Sequence, residues 1–211
     1  MSSKAILFFD LDDTLYPPNN GLWTIISQRM NDYIERKFSL SQQEASQLRD
    51  SLYHTYGTTL RGLQNLYQID EDEYLDYVHD VPLEPYIQPN PALRQMLQYY
   101  PQPKMIFTNA HTPHAQRVLN RLGISDQFDQ ICDIRTIAPY CKPMPEAFAI
   151  LLKTTGADPT QSVMIDDMPK TIQTARSLGF TGILVGRSMP ANVEDLHIAA
   201  ITDLPNILPP I

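Results

Sequence analysis

Apolar and polar positions divide this chain into segments of different period. Ala5-Ile6-Leu7-Phe8-Phe9 is an unbroken apolar run that stops at Asp10-Leu11-Asp12-Asp13. Five such residues without alternation predict a strand buried on both faces, as inside a parallel sheet. Pro17-Pro18-Asn19-Asn20-Gly21 breaks the chain, and the period then becomes helical. Leu22, Ile26, Met30, Tyr33, Ile34 and Phe38 form one amphipathic stripe. Ser41 to Glu44 has the form of a capping box and opens a second stripe, Leu48, Leu52, Tyr53 and Tyr56. Gly57-Thr58-Thr59 interrupts it. Leu60, Leu63, Leu66 and Tyr67 mark a third helix, and Asp70 with Glu73 opens a fourth.

From Pro89 helices and strands alternate. Asn90-Pro91 starts a helix, and Lys104 to Thr108 reads as a strand. Thr112-Pro113 opens a helix that Gly123 closes, and Phe128 to Ile134 holds a third strand. Pro145 to Thr155 and Pro169 to Leu178 read as helices on either side of a strand at Ser162 to Ile165. Ile183 to Val185 and Ala199 to Ile201 read as short strands. The prediction is an α/β fold: a Rossmann-like parallel sheet with helices on both faces, formed by residues 1–16 and 89–211, and a helical insertion at 17–88. Because the insertion follows the first strand, it is expected over that strand's carboxyl end.

Composition narrows the function. The 211 residues carry 24 Asp and Glu against 16 Lys and Arg, a net charge of −8. Scattered basic residues on an acidic chain give no footprint for nucleic acid or an anionic membrane. An anionic substrate would draw its positive charge from a metal, a Lys and helix N-termini. Cys132 and Cys141 lack zinc-ligand spacing, so buried or idle thiols are expected. No stretch approaches bilayer length, and the five-residue apolar run is short for a signal peptide, which leads to the expectation of a cytoplasmic protein.

Candidate chemistry gathers where strands end. In open α/β sheets the carboxyl edge binds ligands. Asp10 and Asp12, two apart on an extended chain, would project to one side, and adjacent carboxylates repel unless a cation or shared proton relieves them. Thr108-Asn109 and Asp166-Asp167 follow later strands, and Lys142 sits in the Pro-flanked loop Cys141-Lys142-Pro143-Met144-Pro145. Singly, each has an ordinary reading: turn chemistry, a helix cap, a solvated lysine. Together they assemble an inventory suited to a phosphate on Mg²⁺.

In order and spacing, Phe9-Asp10-Leu11-Asp12-Asp13-Thr14-Leu15, Thr108-Asn109, Lys142-Pro143 and Asp166-Asp167 resemble the four motifs of the haloacid dehalogenase-like phosphohydrolase superfamily. The insertion resembles its helical C1 cap. Asp12 to Tyr16, Tyr56 to Leu63, Val78-His79-Asp80, and Thr108-Asn109-Ala110 followed by His114-Ala115 resemble the pyrimidine 5′-nucleotidase branch.

The resemblance implies a Mg²⁺-dependent phosphatase acting on a small phosphorylated metabolite, first of all a pyrimidine nucleoside 5′-monophosphate. Purine nucleotides, flavin or pyridoxal phosphates and sugar phosphates are the alternatives. It makes Asp10 the nucleophile that forms an aspartyl-phosphate, and Asp12 the proton donor and acceptor, with a raised pKa expected. Mg²⁺ would be held by Asp10, the Asp12 carbonyl and Asp167, with Asp166 a ligand or a partner behind the ligands. Thr108 and the Asn109 amide would hold phosphoryl oxygens, and Lys142 would balance the acids and stabilise the transferring group. One departure is Met168-Pro169-Lys170-Thr171, where the family usually has a small polar residue and then Asn.

Asp13 stands where many relatives have Gly and reads as part of the turn. Substrate choice is expected in the insertion, with Gly57, Thr58 and Thr59 as contact candidates. His114, near a helix start, is expected to be structural. Outside the enzyme class, an Asp-phosphorylated receiver module would combine similar residues, but it is shorter, has no insertion, and carries its Asp on a middle strand. An idle binding protein fits poorly with a full set of motif acids.

Overall fold

In the computed structural model, which describes residues 5–186 and 196–210, the first apolar run becomes an interior strand of a six-stranded parallel sheet. The strands are β1 (Leu7–Phe9), β2 (Lys104–Phe107), β3 (Gln130–Cys132), β4 (Val163–Asp166), β5 (Thr181–Val185) and β6 (Leu196–Ile198). Their order is β3-β2-β1-β4-β5-β6. The chain moves outward from β1 to β3, returns to β4 beside β1, and moves outward again. Ligands bind where such a sheet reverses direction, which here is the boundary between β1 and β4.

Helices α5 (Pro91–Gln98), α6 (Thr112–Leu122), α7 (Pro145–Thr155) and α8 (Pro169–Ser177) connect the strands. Right-handed crossovers put α5 and α6 on one face and α7 and α8 on the other. Neighbouring rings show the two faces: Phe8 meets Phe180 edge-on at 6.0 Å, whereas Phe9 meets Phe128 at 5.7 Å. Adjacent strand residues point to opposite faces, so both sides of β1 are buried, which accounts for its unbroken apolar run.

Asn19–Tyr86 form a separate compact unit. It contains α1 (Leu22–Phe38), α2 (Gln42–Tyr56), α3 (Thr59–Tyr67) and α4 (Glu71–His79). Leu22, Ile34, Leu52, Leu63 and Val78 are buried, and Tyr33 packs edge-on against Tyr74 at 5.1 Å. The Ser41–Glu44 capping box is present, and Asp70 accepts from the Glu73 N–H at 3.0 Å.

One expected strand shifts, and another fills only part of its segment. The last lies at Leu196–Ile198, and Ile201–Asn206 form a 3₁₀ helix in place of the end of the expected strand at 199–201. The third is confined to Gln130–Cys132. Asp133 instead turns the chain, accepting from Thr112 and Thr136 through both side-chain oxygens. Cys132 and Cys141 are buried free thiols, as expected. No helix among the described residues is long and apolar enough to cross a membrane.

Candidate active site

Parallel register brings the acids together. Phe9 is paired with Ile165, and the Asp10 N–H donates to the Ile165 carbonyl at 2.8 Å, so Asp10 and Asp166 stand at the same level of the sheet's edge. Asp10, Asp166 and Asp167 each offer a carboxylate oxygen, and these oxygens lie within 4.8 Å of one another. Lys142 reaches into the group from the loop before α7. Its Nζ donates to Asp10 Oδ1 at 2.6 Å and Asp166 Oδ2 at 2.7 Å, and it lies 5.3 Å from the centre of the Phe107 ring. Thr14 Oγ1 donates to Asp10 Oδ2 at 3.3 Å.

Three acids and one lysine leave an excess of negative charge, and the proton affinities reflect it. Burial holds the Asp10 pKa well above the usual carboxylate range; Lys142 opposes this, while Asp166 and Asp167 reinforce it. Burial and then Asp166 push Asp167 up to about 7. An oxygen-rich, electron-dense donor set of this kind fits a hard divalent cation such as Mg²⁺. Asp166 is already engaged on both oxygens, since Oδ1 accepts from the Met168 N–H at 2.8 Å. Met168-Pro169 thus begins α8 and fastens Asp166 at the same time.

The Thr108-Asn109 pair divides its work. Thr108 is buried, and its Oγ1 accepts from the Ala110 N–H at 3.0 Å, a bond that leaves the hydroxyl hydrogen to be donated. The Asn109 side chain is committed to the main chain of Lys142, donating to its carbonyl at 3.0 Å and accepting from its N–H at 2.8 Å. Asn109 therefore fixes the loop that carries Lys142.

Asp12 differs from the extended-chain expectation. After Phe9 the backbone winds into a turn closed by the Leu15 N–H on the Leu11 carbonyl at 3.0 Å, so the Asp12 carboxylate leaves the metal-type cluster. Its Oδ1 accepts from the Tyr16 hydroxyl at 2.7 Å and lies 3.1 Å from His114 Nε2. Burial, with Asp12 next, keeps the Tyr16 phenol protonated far above its usual range. Asp13 takes φ 61°, a left-handed conformation that Asp tolerates better than most residues, which explains a Gly-like position in the turn.

In the helical unit, Gly57 is the C-cap of α2 with φ 84°. Thr58 is the N-cap of α3, its Oγ1 accepting from the Arg61 N–H at 3.1 Å, and Thr59 is buried. Each thus has a local structural task. Sequence reasoning missed Thr14, Tyr16 and His114 as partners of the acids. Tyr16 stands four residues after Asp12, but the His114 contact spans 102 residues and depends on β1 lying beside β2.

Comparison with known proteins fits this geometry. "Phosphate metabolism protein 8" of Saccharomyces cerevisiae is 28% identical over 197 residues, covering 86% of this chain and 61% of that protein. A HAD phosphatase from Thermococcus onnurineus superposes with a TM-score of 0.64 at 23% identity, covering 97% of each chain. The L-2-haloacid dehalogenase of Xanthobacter autotrophicus superposes with a TM-score of 0.59 at 18% identity, covering 98% of each chain. Residues 4–179, which include every strand-end acid and Lys142, match the haloacid dehalogenase-like hydrolases, and this chain belongs to that family.

Proposed function

We propose that the chain is a Mg²⁺-dependent phosphatase that hydrolyses a small phosphomonoester through an aspartyl-phosphate on Asp10. The observation that carries this reading is the convergence of Asp10, Asp166 and Asp167 around Lys142 at the switch point of the sheet. Asp10, the Asp12 carbonyl and Asp167 would hold the cation, with Asp166 behind them fixing Lys142 and the start of α8. When bound, the cation neutralises charge on the phosphoryl oxygens and lets the clustered carboxylates ionise together.

The chain's own residues do the rest. A carboxylate oxygen of Asp10 attacks phosphorus, and the bond from phosphorus to the leaving oxygen breaks. Asp12 gives that oxygen its proton. Asp12, now a carboxylate, takes a proton from water, whose oxygen attacks phosphorus and releases orthophosphate and the Asp10 carboxylate. Lys142 and the Thr108 hydroxyl stabilise charge on the transferring group, with the Asn109 main-chain N–H as a further donor.

A carbon–halogen substrate is the competing chemistry within this fold. Halide departs without a proton and calls for no cation, so it would leave Asp12 and the carboxylate cluster without work. Among phosphomonoesters we place pyrimidine nucleoside 5′-monophosphates first, on the resemblance of Asp12 to Tyr16 and Tyr56 to Leu63. The Gly57 to Thr59 segment is the proposed reader of the substrate.

Asp10→Asn is expected to abolish hydrolysis of p-nitrophenyl phosphate, and EDTA to do so reversibly. Undiminished activity in either case would sink the mechanism. Phosphate release across nucleotides, sugar phosphates and cofactor phosphates with Mg²⁺ present then ranks the substrates, and a ranking led by any other class would displace the pyrimidine assignment.

A further inference from the structure

Asp12 is held by two donors from separate parts of the chain. Tyr16 comes from the turn that Asp12 itself begins; its hydroxyl reaches Oδ1 at 2.7 Å, and the residue is 4% exposed. His114 comes from the first turn of α6, after Pro113, and is 0% exposed, with Nε2 at 3.1 Å from the same oxygen. A carboxylate oxygen only accepts, so toward ionised Asp12 this nitrogen carries the hydrogen.

The two contacts fall on one oxygen and come from separate chain segments, which restrains the rotation of the carboxylate about its bond to Cβ. They also oppose a specific alternative. A carboxylate two residues from Asp10 could swing into the Asp10–Asp166–Asp167 cluster and compete for its cation. Anchored on Tyr16 and His114, Asp12 stays apart from that set.

We propose that Tyr16 and His114 are positioning residues for Asp12, holding its carboxyl group in line with the leaving oxygen so that proton transfer accompanies bond breaking. The proposal rests on the reading of Asp12 as proton donor given above. Neither residue touches phosphorus, so their loss should be felt in proportion to how much the leaving group needs a proton. A residue that only packs the core would lower all rates alike.

The test measures kcat/KM with Mg²⁺ across phenyl phosphates running from p-nitro to p-methoxy. This quantity covers steps up to departure of the phenol, so hydrolysis of the intermediate does not enter. Tyr16→Phe and His114→Leu should each lose about tenfold or more with the poor leaving group and much less with p-nitrophenyl phosphate, a share of the ~10²–10⁴ that a positioned proton donor supplies.

His114→Gln, whose amide N–H can reach the same oxygen, should recover most of the loss. Circular dichroism checks that each variant is folded. If His114→Leu fails to fold, Tyr16→Phe, which removes one oxygen atom, decides the matter. A uniform loss or no loss across the series for Tyr16→Phe, while Asp12→Asn shows a steep dependence, overturns the positioning role alone. A flat response of Asp12→Asn itself overturns the proton-donor reading on which it stands.

Discussion

Lys142 shows at the scale of one residue how the site stays charged. Its ammonium is buried between Asp10 and Asp166, at 2.6 and 2.7 Å, and Asn109 clamps its main chain from both sides. Burial alone would drive its proton off; the two carboxylates outweigh that and raise its pKa. Taking out the lysine leaves two buried carboxylates facing each other. Lys142→Met is therefore expected to cost the metal-free protein about 3–5 kcal/mol, the range for a buried pair that loses one partner. Urea unfolding in EDTA measures this, and turnover of p-nitrophenyl phosphate should vanish as well. Lys142→Arg should not restore turnover, because a planar guanidinium cannot replace a compact ammonium between two acids. A loss under about 1 kcal/mol would mean that the lysine is not balancing the acids.

At the scale of elements, close approach in the helical unit runs through Gly62 in α3. A Cβ there would lie 2.7 Å from Leu52 Cβ on α2 and 3.0 Å from Tyr56 Cδ2. Helix propensity alone would make Gly62→Ala stabilising by about 1 kcal/mol. The clash involves a Cβ, which cannot rotate away, so Gly62→Ala is expected to destabilise by about 1–3 kcal/mol instead, read as a lower thermal midpoint. The same distinction between local pattern and tertiary contact governs what could be read from the chain. β1, β2 and β4 were legible because burial on both faces demands continuous apolar runs, and polar residues mark where those runs stop. The edge strands β3 and β6 were placed loosely. Leu196 is exposed and His197 half-buried, so β6 has no apolar run, while the apolar signal continues into the 3₁₀ helix at Ile201.

At the scale of the molecule, chain segments far apart in sequence become one electrostatic unit. Its acids and lysine were legible because the acids stand where apolar strands stop and the lysine lies in the Pro-flanked loop just before a helix. The contacts of Tyr16, His114 and Asn109 were not, since they depend on which strand ends become neighbours and how the loops turn afterwards. That unit should couple metal binding, stability and pH with a definite sign. Asp167 titrates at about 7 in the folded chain, against about 3.9 for an unfolded aspartate. Between those values the folded state holds a proton that the unfolded state has released, so this contribution to stability is complete below the lower value and is lost as pH rises through the upper one. Asp10, also raised, acts in the same direction. In EDTA the thermal midpoint should therefore fall from about pH 5 to about pH 8. Mg²⁺ should reverse the trend, because a cation binds the deprotonated carboxylates and gains affinity as their protons leave. Asp167→Asn removes the titrating group and should flatten both slopes relative to the parent, which separates this site from histidines titrating elsewhere. A metal-free midpoint that rose over that window, or an Asp167→Asn profile parallel to the parent, would show that Asp167 is already ionised beside Asp166 and that the cluster is balanced without a cation.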